Sequence, residues 1–124
     1  MSVTRISTES LNKIMNGGLK DDEQTTVVVK FYSNNCHLCH ALSEYYLNLS
    51  DDKSYEDVYF FAHNVDDDGD IPKKLNLNGV PSFALFQTRG GKCTKTRIMA
   101  DPELPNEKTW FTVKQIKNFI NRER

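Results

Sequence analysis

Cys36 and Cys39, separated by two residues, are the side chains of this sequence best suited to covalent chemistry. A CxxC pair is typical of redox centres and of metal sites. The β-rich run Val27 to Tyr32 predicts a buried strand before the pair, and helical spacing of apolar residues follows it. We therefore expect the Cys36 sulfur at the positive end of a helix dipole, near unpaired N–H groups that favour its thiolate.

The spacing of the two cysteines suits thiol–disulfide exchange. A thiolate attacks a substrate disulfide, and a second thiol within bonding reach must then release the mixed disulfide. Cys39, three residues on and one helical turn below Cys36, meets that requirement. The pair predicts an oxidoreductase that works without a cofactor.

Two other interpretations of the motif remain open. Cys36 to His40 also spells CxxCH, the attachment pattern of c-type haem, although no export signal accompanies it. Zinc could bind the two cysteines together with His40, His63 or Cys93, although the second ligand pair usual in structural sites is missing. We favour redox chemistry and expect no bound metal.

The elements that position the pair follow from apolar spacing and turn residues. Leu11, Ile14, Met15 and Leu19 predict a first helix behind Ser7, with a stop at Gly17-Gly18. Leu38, Leu42, Tyr45 and Leu49 predict the apolar stripe of the helix that the cysteines open. The remaining elements are a strand over 58–62, a short helix from Asp70, strands over 83–86 and 93–99 joined at Gly90-Gly91, and a helix around 113–120.

This order is (β)αβαβαββα, with Val3 to Ile6 as a short first strand. It predicts a single α/β domain over 1–124, in which helices cover both faces of a mixed sheet. With 16 basic and 17 acidic side chains, the chain lacks the positive excess of a nucleic-acid binder. The longest apolar run, Val58 to Ala62, is too short to cross a membrane, and the N-terminus lacks a secretory pattern. We therefore expect a cytoplasmic protein with no nucleic-acid or membrane partner.

The motifs together resemble the thioredoxin family. The strand 27–32 leads into the CxxC, the segment Gly79 to Phe83 is similar to the family's cis-proline loop, and Gly90-Gly91 lies at the following hairpin. The resemblance covers roughly the whole chain. It implies the thioredoxin fold, a central mixed sheet of four to five strands with helices on both faces.

The resemblance also implies roles for individual residues. Cys36 would be the nucleophile and Cys39 the resolving thiol. Pro81 would be cis and face the sulfurs, and the backbone of Val80 would pair with an extended substrate. Asn35, Gly90 and Gly91 would complete the substrate-binding surface.

The sequence departs from the family pattern at three places. His37-Leu38 replaces the usual Gly-Pro, and Asn35 replaces the usual tryptophan, so the redox potential stays open. Lys30 stands where the family usually holds a buried aspartate. An inward-pointing Lys30 would lower both thiol pKa values, whereas a lysine snorkelling to solvent would not affect them.

The expected function is reduction of protein disulfides by a monomer whose electrons come from a separate disulfide reductase. The alternatives are a disulfide oxidase or isomerase, and a non-catalytic thioredoxin-fold module that binds a partner or a metal. The segment Ala100 to Thr109 is longer than the family's usual turn before the last helix. We interpret it as a tolerated surface insertion rather than a lid or partner contact near the active site.

Overall fold

A five-stranded mixed sheet lies at the centre of the computed structural model, which describes residues 3–17 and 24–124. The strands are β1 (Thr4–Arg5), β2 (Thr25–Tyr32), β3 (Val58–Asn64), β4 (Ser82–Arg89) and β5 (Lys92–Ile98). Their order across the sheet is β1-β3-β2-β4-β5. β3 pairs in parallel with β1 and β2, whereas β4 pairs antiparallel with β2 and β5. The predicted fold class is confirmed.

Helices cover both faces of this sheet. They are α1 (Thr8–Asn16), α2 (His37–Ser50), α3 (Asp70–Lys74) and α4 (Val113–Glu123), with a 3-10 helix at Lys53–Tyr55 that the sequence analysis did not predict. Gly18 and Leu19, which were expected in the first helix and its stop, lie outside the described residues. Within the described ranges, no helix is both long and apolar enough to cross a bilayer.

The alternation of side chains along β2 divides the core into two layers. Val27, Val29 and Phe31 pack on one face in a cluster with residues of α1 and α3. Val28 faces the opposite cluster, which includes residues of α2 and α4. Because side chains alternate with a period of two, Lys30 is directed to the same face as Val28, under α2.

The buried stripe of α2 corrects one expectation. Tyr46 is buried with Leu42 and Leu49, whereas Tyr45 is half exposed. The Tyr46 hydroxyl lies 2.7 Å from the carbonyl oxygen of Phe61, and burial raises the pKa of this hydroxyl well above its usual value. Tyr46 is therefore a neutral hydrogen-bond donor inside the core, and Tyr45 is not part of the stripe.

The structure does not place Gly90 and Gly91 next to Val80 and Pro81, the other residues predicted to border the substrate site. They form the β4–β5 hairpin with positive φ values of 59° and 77°, as a tight two-residue turn requires. Pro81 precedes β4 at the opposite end of this eight-residue strand. At the usual rise per residue, the hairpin lies about 24 Å from that end. Its neighbour is Gly17 at the end of α1, where a Cβ atom would come within 2.7 Å of the Gly91 oxygen.

Candidate active site

The two cysteines form a disulfide at the start of α2. Cys36 is the N-cap residue in extended conformation, and its sulfur accepts a hydrogen bond from the backbone N–H of Cys39 at 3.1 Å. The Cα atoms are 5.2 Å apart. Cys36 is partly exposed, whereas Cys39 is only 1% exposed. The Cys36 sulfur is therefore reachable from solvent, and the Cys39 sulfur lies behind it.

The turn before Cys36 is held by Asn34, which the sequence analysis did not single out. Its backbone N–H donates to Asp66 at 2.8 Å, and its side-chain oxygen accepts from Asn64 at 2.8 Å. Its carbonyl oxygen lies 3.0 Å from Nε2 of His40. The turn is thereby tied both to the end of β3 and to the first turn of α2. The predicted site residue Asn35 is exposed beside Cys36.

The loop before β4 reaches the same edge of the sheet. The Val80–Pro81 peptide bond is cis, and the hydroxyl of Ser82 donates to the carbonyl oxygen of Gly79. Val80 and Pro81 line a concavity of about 190 Å³ together with Leu38 of α2. The structure therefore brings Val80 and Pro81 to Leu38, which lies between the two cysteines, and the adjacent His37 is exposed.

Lys30 points inward beneath the disulfide helix. Its side chain is 4% exposed, and its Nζ donates to the carbonyl oxygen of Cys39 at 2.9 Å and to the hydroxyl of Ser43 at 3.2 Å. The rings of Tyr32 and Tyr46 lie 5.9 Å and 5.7 Å from the amine. Among the described residues, no carboxylate forms an ion pair with it. Burial lowers the pKa of Lys30 from 10.5 to about 8.

The Lys30 side chain also borders an open concavity of about 450 Å³ between α2 and the β1 edge of the sheet. His40, Ser43 and Arg5 line the same space. Water has access to this space, so the buried amine can exchange protons with solvent while it stays bonded to the Cys39 backbone. Of the two orientations considered for Lys30, the structure has the inward one.

The segment after β5 is mostly exposed over 101–108, as a surface insertion would be, but two of its residues reach the loop that holds Pro81. Asp101 and Trp110 also line the concavity at Leu38, Val80 and Pro81. Trp110 has no visible role in the sequence alone, because the residues that it approaches are far from it along the chain. A lone tryptophan in a polar loop is the signal that could have drawn attention to it.

The structure does not gather the alternative metal ligands around the cysteines. In the described part of the chain, no three His, Cys, Asp or Glu side chains are placed to share an ion. His63 is fully buried, with Nδ1 3.0 Å from the carbonyl oxygen of Ile6. Cys93 is a free cysteine on β5, and its sulfur lies 3.5 Å from the carbonyl oxygen of Lys95.

Comparisons with known proteins agree with this arrangement. The family model described as Thioredoxin matches residues 4–103. Thioredoxin AMT13 of Alternaria alternata is 34% identical over 61 residues, covering 49% of this chain and 50% of that protein. Thioredoxin of Malassezia sympodialis is 27% identical over 76 residues, covering 61% of this chain and 70% of that protein. The chain thus spans about half the length of the Alternaria relative.

A solved structure shares the fold along nearly the whole chain. Thioredoxin f of spinach chloroplast superimposes with a TM-score of 0.68 at 18% identity, over 99% of this chain and 94% of that one. At this identity the likeness concerns the fold alone.

Proposed function

The chain belongs to the thioredoxin family, and we propose that it is a thiol–disulfide oxidoreductase that acts through Cys36 and Cys39. One observation carries this proposal above the others. An exposed sulfur caps a helix N-terminus and is bonded to a buried sulfur three residues later. This is the arrangement in which one thiol attacks a substrate and the other releases it.

The proposed reaction transfers two electrons. The Cys36 thiolate attacks one sulfur of a substrate disulfide, and the other substrate sulfur leaves as a thiolate that takes a proton from water. The Cys39 thiolate then attacks the Cys36 sulfur, and the second substrate sulfur leaves. The substrate ends as a dithiol, and the protein ends with the Cys36–Cys39 disulfide.

We propose that the physiological direction is reduction of protein disulfides, with a separate disulfide reductase returning the electrons. Val80 is partly buried and lines the concavity at Leu38, and this position supports backbone pairing with an extended protein segment next to Cys36. The second candidate is an oxidase or isomerase. Lys30 favours it, because a buried cation at the Cys39 backbone stabilises thiolates and makes the disulfide easier to reduce.

A redox titration in graded thiol–disulfide buffers, read by alkylation and mass, tests the activity and its direction. A midpoint near about −270 mV supports the reductase, and one between about −180 and −120 mV supports the oxidase or isomerase. The absence of a two-electron transition between Cys36 and Cys39 would contradict both.

Two single cysteine variants test the division of labour. Cys39→Ser should accumulate a mixed disulfide between Cys36 and the substrate, because the resolving thiol is gone. Cys36→Ser should accumulate none, because Cys39 is buried. Equal trapping by both variants would refute the assignment.

We also propose that the protein works as a monomer in the cytoplasm. The free thiol of Cys93 suits a reducing compartment. The edge strand β1 has two residues, and the edge strand β5 carries Lys92, Lys95 and Arg97, which discourages pairing between sheets. Sedimentation across protein concentrations and cell fractionation test these two statements.

A further inference from the structure

The segment between β5 and α4, residues 99–112, leaves the sheet at the same end of the strands as the disulfide, which follows the last residue of β2. The backbone N–H of Met99 donates to the carbonyl oxygen of Phe83 at 2.9 Å, so the strand pairing continues to the start of β4. Pro81 lies two residues before Phe83. The segment after Met99 therefore begins beside the loop that contains the cis Val80–Pro81 bond.

Hydrogen bonds fold the 99–112 segment on itself. Asn106 and Trp110 exchange two backbone hydrogen bonds of 3.0 and 2.8 Å. The side-chain oxygen of Asn106 accepts from the backbone N–H groups of Lys108 and Thr109. Phe111 is 1% exposed, and its ring lies 5.7 Å from that of Phe83. The segment is thus an ordered wall anchored in the core.

Asp101 connects this wall to the loop before Pro81. One carboxylate oxygen accepts from Nε1 of Trp110 at 3.2 Å, and the other accepts from the side-chain amide of Asn78 at 3.3 Å. Both partners are neutral, so the carboxylate keeps its negative charge uncompensated by them. Asp101 and Trp110 present an anion and a large ring to the concavity beside Cys36.

Acidic side chains lie on both sides of the disulfide. The 99–112 segment carries Asp101, Glu103 and Glu107 against one cation, Lys108. On the other side, Asp66 binds the turn that precedes Cys36. The cations nearest to this segment in the sequence are Arg97 and Lys114, which flank it, and Lys73 and Lys74 of α3 precede the loop that carries Asn78. At the tip of the segment, Leu104 is 90% exposed and offers an apolar contact.

We propose that the 99–112 segment selects the protein substrate through Asp101 and Trp110. The preferred occupant is an extended segment with a large apolar residue next to its disulfide cysteine and a lysine or arginine after that residue. The apolar side chain packs among Leu38, Pro81 and Trp110, and the cation lies at Asp101. The charge complementarity of the two acidic loops argues for this basic occupant. The proposal rests on the proposed oxidoreductase function.

Matched disulfide-linked peptides test the charge part of the proposal. Two peptides carry Leu-Arg or Leu-Glu after the cysteine, and the second-order rate constant for oxidation of the reduced protein is measured with each. We expect the Leu-Arg peptide to react about tenfold faster, with the preference shrinking as salt is added. Asp101→Asn, which keeps the shape of the side chain, should reduce the preference about two- to fivefold.

Glu56→Gln is the matched control, because Glu56 is an exposed carboxylate next to the 3-10 helix, beyond the far end of α2. It should leave the preference unchanged. Equal rates for the two peptides, or a full preference retained in Asp101→Asn, would overturn the proposal. Failure of the wild-type protein to react with either peptide would instead overturn the proposed function.

A third peptide, with Ala-Arg after the cysteine, tests Trp110. The wild-type protein should prefer Leu-Arg over Ala-Arg, and Trp110→Ala should lose this preference. Trp110→Phe keeps a ring and should retain part of it, which keeps the test usable if the alanine variant melts early. Equal preference in the wild-type protein and both folded variants would remove Trp110 from the proposal.

Discussion

The charged amine of Lys30 is buried in the folded protein, and its burial costs folding free energy. Because this cost exists only while the amine is protonated, the stability of the protein should depend on pH. Its side chain is 4% exposed, and burial lowers its pKa from 10.5 to about 8. Below pH 8 the amine is protonated in both the folded and the unfolded chain, so the cost is fully present. Between pH 8 and 10.5 the unfolded chain binds more protons than the folded one. The free energy of unfolding should therefore rise with pH in that window.

The size of the effect follows from the pKa values. A fall from 10.5 to about 8 is equivalent to about 3.4 kcal/mol at about 1.36 kcal/mol per pKa unit. Because Lys30 borders an open concavity, water offsets part of the burial, and we expect about 1.5 to 2 kcal/mol. Lys30→Met removes the amine but keeps a side chain of similar length. The stability of Lys30→Met minus that of the wild-type protein should thus fall by about that amount between pH 7.5 and 10.5.

Urea unfolding of the oxidised protein at a series of pH values measures this difference. Both proteins carry Cys93→Ser, because a free thiolate at high pH would attack the disulfide. Lys114→Met is the matched control, since Lys114 is exposed on α4, and its difference from the wild-type protein should be flat. A Lys30→Met difference that stays constant within about 0.5 kcal/mol would show that the folded state does not depress this pKa.

Three further variants test how the scaffold is held. Gly17→Ala should lower the free energy of unfolding by about 2 to 3 kcal/mol, because φ is 79° and the new Cβ would strike a hairpin carbonyl. Gly69→Ala is the control, since a Cβ there meets open space, and its stability should be nearly unchanged in denaturant unfolding. Tyr46→Phe should lower stability by about 1 to 2 kcal/mol, because it removes a hydroxyl that is hydrogen-bonded in the core, whereas Tyr45→Phe at an exposed position should not. Equal denaturation midpoints for the two variants would contradict this. Thr112→Ala should cost about 1 kcal/mol by removing the capping box of α4, visible as a lower melting temperature.

The elements near the cysteines were predictable because their signals are local. The β-rich run before Cys36 and the helical spacing after it gave the strand–turn–helix unit directly. The inward direction of Lys30 was also within reach of the sequence, since it shares the period-two face of Val28. The missing step was knowing which face of β2 lies under α2, and this depends on the packing of helices distant in sequence.

The one-residue error in the α2 stripe has a different cause. Adjacent tyrosines at 45 and 46 give two candidate stripes with equally good helical spacing. The structure selects the stripe that buries Cys39, and Tyr46 follows from it at the next helical positions. The burial of Cys39 and the hydrogen bonds of the Tyr46 hydroxyl agree on this rotation of the helix, which the spacing of apolar residues alone could not decide.

The 99–112 segment shows where prediction from a single chain stops. Asp101 meets Asn78, which is 23 residues away, and Trp110 lines a concavity with Leu38, which comes 72 positions earlier in the sequence. No periodicity connects such positions. Their contact depends on the antiparallel register that carries Met99 to the start of β4. The family motif locates the reacting sulfurs, whereas the choice of substrate would be made by residues whose meeting only the strand register determines.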